Sequence, residues 1–139
     1  VSGRLHWLDG QAGQRILNDA YNANPASVKA AIDVLKHAAQ SWLVLGDMAE
    51  LGEGELAAHA DIGLYAKTQG IQHLLATGER SRKTVEAFGA GAHWFATKEE
   101  LVRYLQQQTT KQDVILVKGS RSAGMDQVVQ ALQKNTEEN

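Results

Sequence analysis

With 139 residues, 43% of them apolar and 22% charged, the chain has the size and composition of one soluble globular domain that can bury a core. A formal net charge of -2 offers no broad basic field to nucleic acid, so any anion site must be local. The absence of cysteine excludes disulfides and thiolate zinc sites and fits a reducing compartment, while no apolar run reaches the ~20 residues that span a bilayer. A cytoplasmic protein without membrane insertion is expected. The first residue is Val1 rather than Met, which suggests a piece of something longer.

Apolar runs at 4–8 and 14–18 flank the turn-like Asp9-Gly10-Gln11-Ala12-Gly13 and predict a hairpin. "DAYNANPAS" follows at 19–27, where a strand ends in an acid, an aromatic and two amides. Asn24 is a good N-cap, and Pro25 suits the first helical position because the N–H it lacks would be unpaired there anyway. Asp19, Tyr21 and Asn22 have no apolar role. An ionised carboxylate at a strand end can accept from both hydroxyls of a ribose, or it can close an Asx turn; both readings stand.

Val28, Ile32, Leu35 and Ala39 recur every three or four residues and predict a helix over 25–39. Residues 42–45 read as a buried strand ending in Gly46-Asp47, 53–69 as a helix stopped at Gly70, and 71–77 as a strand. A short helix is predicted at 81–88 and a short strand at 92–95. Thr97-Lys98-Glu99-Glu100 is a capping box opening a helix through Leu101, Tyr104 and Leu105. The last strand, 113–117, leads through a glycine turn to a helix holding Met125, Val128, Val129 and Leu132. Residues 135–139 form a polar tail. Trp7, Trp42 and Trp94 fall in predicted strands and are read as core.

Strands alternating with helices imply crossover connections. The predicted fold is α/β, a Rossmann-like open, mainly parallel sheet with helices on both faces and an N-terminal hairpin element. Ligands of such sheets lie beyond the carboxyl ends of the strands, so the segments after Asn18, Leu45, Leu75 and Val117 are the places to search.

Gly52-Glu53-Gly54-Glu55-Leu56-Ala57 matches a dinucleotide fingerprint in form, but its glutamates repel a pyrophosphate and an acidic loop is the plainer reading. In Gly78-Glu79-Arg80-Ser81-Arg82-Lys83-Thr84, Arg82 stands where a P-loop needs its second glycine. Lys118-Gly119-Ser120-Arg121-Ser122-Ala123-Gly124, between a strand and a helix, reads either as an anion site at a helix N-terminus or as a glycine turn with solvated charges. The five histidines show no H-x-x-x-H spacing for a metal, and His59 reads as a packed or surface side chain.

In this order and at these separations, "DAYNANPAS", "LGDMAELGE" with His59 after it, "ATGERS" and "ILVKGSRSAGMDQVVQAL" resemble the C-terminal domain of the Mur ligase family. The resemblance covers nearly all of the chain, with the domain taken as 1–134. It is strongest to the branch that adds D-alanyl-D-alanine to UDP-N-acetylmuramoyl-tripeptide in peptidoglycan precursor synthesis. It implies a three-domain enzyme using ATP and magnesium, whose N-terminal domain holds the UDP end of the substrate. The central domain of such an enzyme carries the P-loop, the magnesium ligands and a modified lysine. An acyl phosphate forms on the tripeptide, and the dipeptide amine displaces phosphate.

By resemblance, Asp19 contacts the ATP ribose, Arg4 approaches the nucleotide at the domain interface, and Tyr21, Asn22 and Asn24 line the same edge. The dipeptide carboxylate is assigned to the turn holding Lys118, Ser120 and Arg121, or to the loop holding Arg80 and Ser81. Asp47, Glu50 and His59 shape the approach of the amine. No catalytic residue or metal ligand is implied within this domain, and the chain, lacking G-x-x-x-x-G-K-[ST], is expected to form no product alone. Two alternatives remain: a sister Mur-type or folylpolyglutamate-type amide ligase, and a non-catalytic Rossmann-like binding module in which Asp19 and Asp47 form a phospho-acceptor or metal pocket.

Overall fold

The computed structural model describes residues 6–134; Arg4 and the predicted tail at 135–139 lie outside them. In chain order the elements are β1 (His6–Asp9), β2 (Arg15–Asp19), α1 (Pro25–Leu35), β3 (Ser41–Leu45), α2 (Glu55–Thr68), β4 (His73–Thr77), α3 (Ser81–Phe88), β5 (Ala92–Phe95), α4 (Lys98–Gln108), β6 (Val114–Lys118) and α5 (Asp126–Leu132). A short 3-10 turn, Arg121–Ala123, precedes α5.

One six-stranded sheet has the order β1-β2-β6-β3-β4-β5. Only β1 and β2, joined by the predicted hairpin turn, pair antiparallel; all other neighbours are parallel. Alternate residues face opposite sides. Leu17, Leu43, Leu74 and Leu116 pack under α1, α2 and α3, whereas Ile16, Val44, Leu75, Ile115 and Val117 pack under α4 and α5. Both faces are therefore covered, which is why the central strands read as continuous apolar runs.

Local chemistry sets the boundaries. At α1, Asn24 Oδ1 accepts from the Ser27 N–H at 2.9 Å while Ser27 Oγ accepts from the Asn24 N–H at 3.0 Å. This reciprocal box is complete, with Pro25 at the first helical position. The predicted box at α4 is only half formed, since Thr97 Oγ1 accepts from Glu100 N–H with no return bond from the Glu100 carboxylate. α1 stops at Leu35 instead of 39, because His37 and Ala38 donate three residues back to Val34 and Leu35, tightening the turn that leads into Ser41.

The tryptophan prediction needs correction. Trp42 is buried, but Trp7 lies on the outer strand β1, 46% exposed under the Arg15 guanidinium, and Trp94, on the opposite edge, is half-buried with Arg82 over its ring at 3.6 Å. An edge strand has no neighbour on one side, so its large side chains are covered by cations instead.

The chain steps from β3 through α2, β4 and α3 to β5 on one face, then returns through α4 to β6 on the other. β6 thus ends between β2 and β3, whose following helices leave to the opposite face from its own. A crevice opens at such a switch point.

Candidate functional site

The register pairs Asp19, last in β2, with Lys118, last in β6. Lys118 has no solvent exposure, and its Nζ donates to Asp19 Oδ2 at 2.5 Å and to the Asn22 carbonyl at 2.8 Å. The other Asp19 oxygen accepts nothing from the described residues. The Asx turn exists, but Asn18 makes it: its Oδ1 accepts from the Ala20 N–H.

Ser120, buried, ties three loops together. Its Oγ accepts from the Ala49 N–H at 2.6 Å and donates to the Ala23 carbonyl at 3.3 Å, and its N–H donates to the Asp47 carbonyl at 3.1 Å. A Cβ on Gly119 would stand 2.7 Å from Met125 Cγ and one on Gly46 2.6 Å from the same atom, so Met125 packs against both turns only because both residues are glycine.

Asp47 closes the N-terminus of α3. Its carboxylate accepts from the Ser81 N–H at 2.9 Å, Ser81 Oγ at 2.7 Å and the Arg80 N–H at 3.2 Å. A Cβ on Gly78 would lie 2.4 Å from Asp47 Oδ1, so glycine makes room for the carboxylate. The Arg80 guanidinium reaches Glu55 at 2.8 Å and Asp47 at 3.4 Å, and the bond to Glu55 is the main cause of its raised pKa. His59 is buried, with Nε2 accepting from the Met48 N–H at 3.0 Å and Nδ1 lying 2.7 Å from the Glu55 carbonyl. Accepting at Nε2 places the proton on Nδ1, so the ring is a neutral brace for the β3–α2 loop.

Two cavities flank the loop after β6. One, of ≈ 650 Å³, lies toward β2 and is lined by Tyr21, Asn22, Asn24, Glu50, Ser120 and Arg121. The other, of ≈ 520 Å³, lies over the ends of β3, β4 and β5 and is lined by Gly46, Asp47, Thr77, Arg80, Thr97 and Lys98 among others. Ala49 and Ser122 border both. Each volume falls in the range of about 300–1,000 Å³ usual for small-molecule sites. Glu50, beside the first cavity, has φ 61, a left-handed conformation that costs a non-glycine residue energy and is concentrated at functional loops.

A model of the family described as "Mur ligase, glutamate ligase domain" matches residues 3–121. The chain belongs to the Mur ligase family. The UDP-N-acetylmuramoyl-tripeptide--D-alanyl-D-alanine ligase of Escherichia coli K12 is 45% identical over 138 residues, covering 97% of this chain and 30% of its own length. Among solved structures, MurF from Acinetobacter baumannii is 28% identical with a TM-score of 0.82, matching 94% of this chain and 29% of its own. The MurF ligase from Thermotoga maritima in complex with ADP shares the fold, with a TM-score of 0.83 at 23% identity over 94% of this chain and 30% of its own. The chain thus spans about 30% of the length of the curated relatives it matches.

Within this Mur ligase domain the predicted site residues sort into distinct positions. Asp19 and Lys118, predicted for different ligands, bond to each other, and neither belongs to the lining of these two cavities. Tyr21, Asn22, Asn24, Glu50, Ser120 and Arg121 do share one cavity, though the Asn24 side chain is engaged as a cap. Asp47 and Arg80 line the second, with Ser81 buried behind them and His59 apart from both. The segment after β6 does not open an α-helix at once; the 3-10 turn intervenes and α5 begins only at Asp126. Thr97 and Lys98 also line the second cavity, although the four strand ends that the sequence singles out do not include that of β5; their place directly after a predicted strand is the signal that points to them. Among the described residues no three His, Asp or Glu side chains converge as metal ligands, and no helix is long and apolar enough to cross a membrane.

Proposed function

We propose that this domain is the closing jaw of an ATP-dependent ligase joining D-alanyl-D-alanine to UDP-N-acetylmuramoyl-tripeptide in the bacterial cytoplasm, and that N-terminal and central domains beyond this chain complete its site. The observation carrying the reading is the pair of adjoining cavities at the strand ends, set beside a buried Asp19–Lys118 pair. The identity to D-alanyl-D-alanine ligases over almost all of the chain supports the same reading.

The cavity toward β2 takes the edge of ATP. Tyr21 and Asn22 border it, Arg121 brings a cation, and the free oxygen of Asp19 accepts from a ribose hydroxyl. Lys118 is a positioning residue here: it fixes Asp19 and Asn22 rather than touching a ligand. Arg4, which lies outside the described residues, is assigned to the nucleotide by the family resemblance alone. The second cavity takes the dipeptide, with Ser120 holding the wall between the two. ATP supplies the phosphoryl group that activates the tripeptide carboxylate, and closing the jaw keeps water from the activated acyl group. By the family resemblance, the central domain would hold the magnesium ion; among the described residues of this domain no three His, Asp or Glu side chains converge.

Phosphate release by the full-length ligase tests the reading. Release should require ATP, UDP-tripeptide and D-alanyl-D-alanine together, and Asp19→Asn should raise the KM for ATP about 10-fold, the scale of one hydrogen bond to a charged group. Release driven by a single amino acid in place of the dipeptide would move the domain to a sister ligase. An unchanged KM for ATP would remove Asp19 from the nucleotide edge.

A further inference from the structure

Besides the carboxylates of Asp47 and Glu99, of which Glu99 makes no ion pair with Lys98, the second cavity is lined by two cations, Arg80 and Lys98. Their surroundings differ. Arg80 is held by Glu55 at 2.8 Å and Asp47 at 3.4 Å, so its charge is already answered by two carboxylates. The N-terminus of α3 beside it is likewise occupied, because Asp47 accepts both the Arg80 and the Ser81 amides. A ligand carboxylate placed there would meet resident negative charge. Lys98, the first residue of α4, is only partly buried, and its Nζ donates at 3.0 Å to the Ala123 carbonyl. Among the described residues it makes no ion pair. An ammonium has three donors, so capacity remains for an anion.

We propose that Lys98 reads the carboxylate terminus of the acceptor dipeptide. The inference rests on the functional reading above and deepens it by assigning the charge that recognises the acceptor. In this arrangement the dipeptide lies across the strand ends, its carboxylate over β5 and α4 and its amine toward the loops after β3 and β6, where the nucleotide cavity begins. An extended dipeptide spans about 7 Å, within the two strand spacings of ~4.8 Å each that separate β3 from β5. The Lys98–Ala123 bond also ties the carboxylate reader to the loop after β6, so both ends of the acceptor site are held by one connection.

The experiment compares D-alanyl-D-alanine with its C-terminal amide in the full-length ligase and in its Lys98→Gln and Lys98→Arg variants, reading kcat/KM for the acceptor and KM for ATP. Wild-type enzyme should prefer the acid, and Lys98→Gln should lower kcat/KM for the acid about 10- to 100-fold with little change for the amide, abolishing the preference. Lys98→Arg, which keeps the charge, should retain it. Loss of activity toward acid and amide alike in Lys98→Gln would mean a structural role and overturn the proposal, as would a preference that survives Lys98→Gln or disappears in Lys98→Arg. If wild-type enzyme fails to couple the dipeptide at all, the functional reading itself falls and the assignment of Lys98 with it. Dipeptide coupling with an intact acid preference in Lys98→Gln sinks the assignment alone.

Discussion

Removing the Asp19 carboxylate leaves the Lys118 ammonium fully buried with one backbone carbonyl for a partner. An uncompensated buried charge costs about 3–5 kcal/mol, far more than the pair contributes as a whole. Asp19→Ala should therefore lower the unfolding free energy by that amount in urea titration, and Asp19→Ala combined with Lys118→Met should recover much of the loss. Additive losses in the double variant would mean that the two side chains are energetically independent. The sequence marked Asp19 as unusual because a polar group ended an apolar strand. It could not name the partner, since 99 positions separate the two and only sheet register brings them together. His59 was equally opaque: its ring binds the Met48 amide, and that depends on how the loop before α2 folds back.

At the scale of elements, α2 and α3 meet at Gly63. A Cβ there would stand 2.2 Å from the Thr84 carbonyl, and Thr84 Oγ1 donates to the His59 carbonyl at 2.8 Å, locking the two helices in place. Helix propensity alone favours alanine over glycine by about 1 kcal/mol. Overpacking against backbone costs about 1–3 kcal/mol on top of the strain of separating the helices, so the clash should win. Gly63→Ala is expected to lower the melting temperature; a higher one would show that α3 shifts without cost. Helix and strand types were legible from period and punctuation, and the short α3 and β5 match their predicted limits. The early end of α1 was not, because nothing in Lys36 to Gln40 forbids another turn. The need to re-enter the sheet at Ser41 ends the helix.

Across the whole molecule, acid sensitivity should pass through His73. Its ring stacks on Trp42 at 4.0 Å, and Trp42 in turn donates to Asp113 at 2.9 Å. Burial pushes the His73 pKa below its usual value, outweighing the opposing pull of Asp113, and His93 adds to the lowering. Between that lowered pKa and the unfolded value of about 6.5 the unfolded chain binds more protons, so stability rises with pH there and is lost as pH falls through 6.5. His73→Phe keeps the stack and should flatten the drop in urea midpoint between pH 7.5 and 5.5. An equal drop in both proteins would place the acid sensitivity elsewhere. The sequence by itself determined the α/β class, the hairpin, the two-sided burial and the family, because these follow from local periodicity and from short segments in a fixed order. Only the tertiary structure decided that Asp19 is held by Lys118, that Asp47 fills the N-terminus of α3, and that Lys98 faces the second cavity without a carboxylate partner among the described residues. Each depends on which strand ends lie side by side, and that is set by the sheet order rather than by any stretch of neighbouring residues.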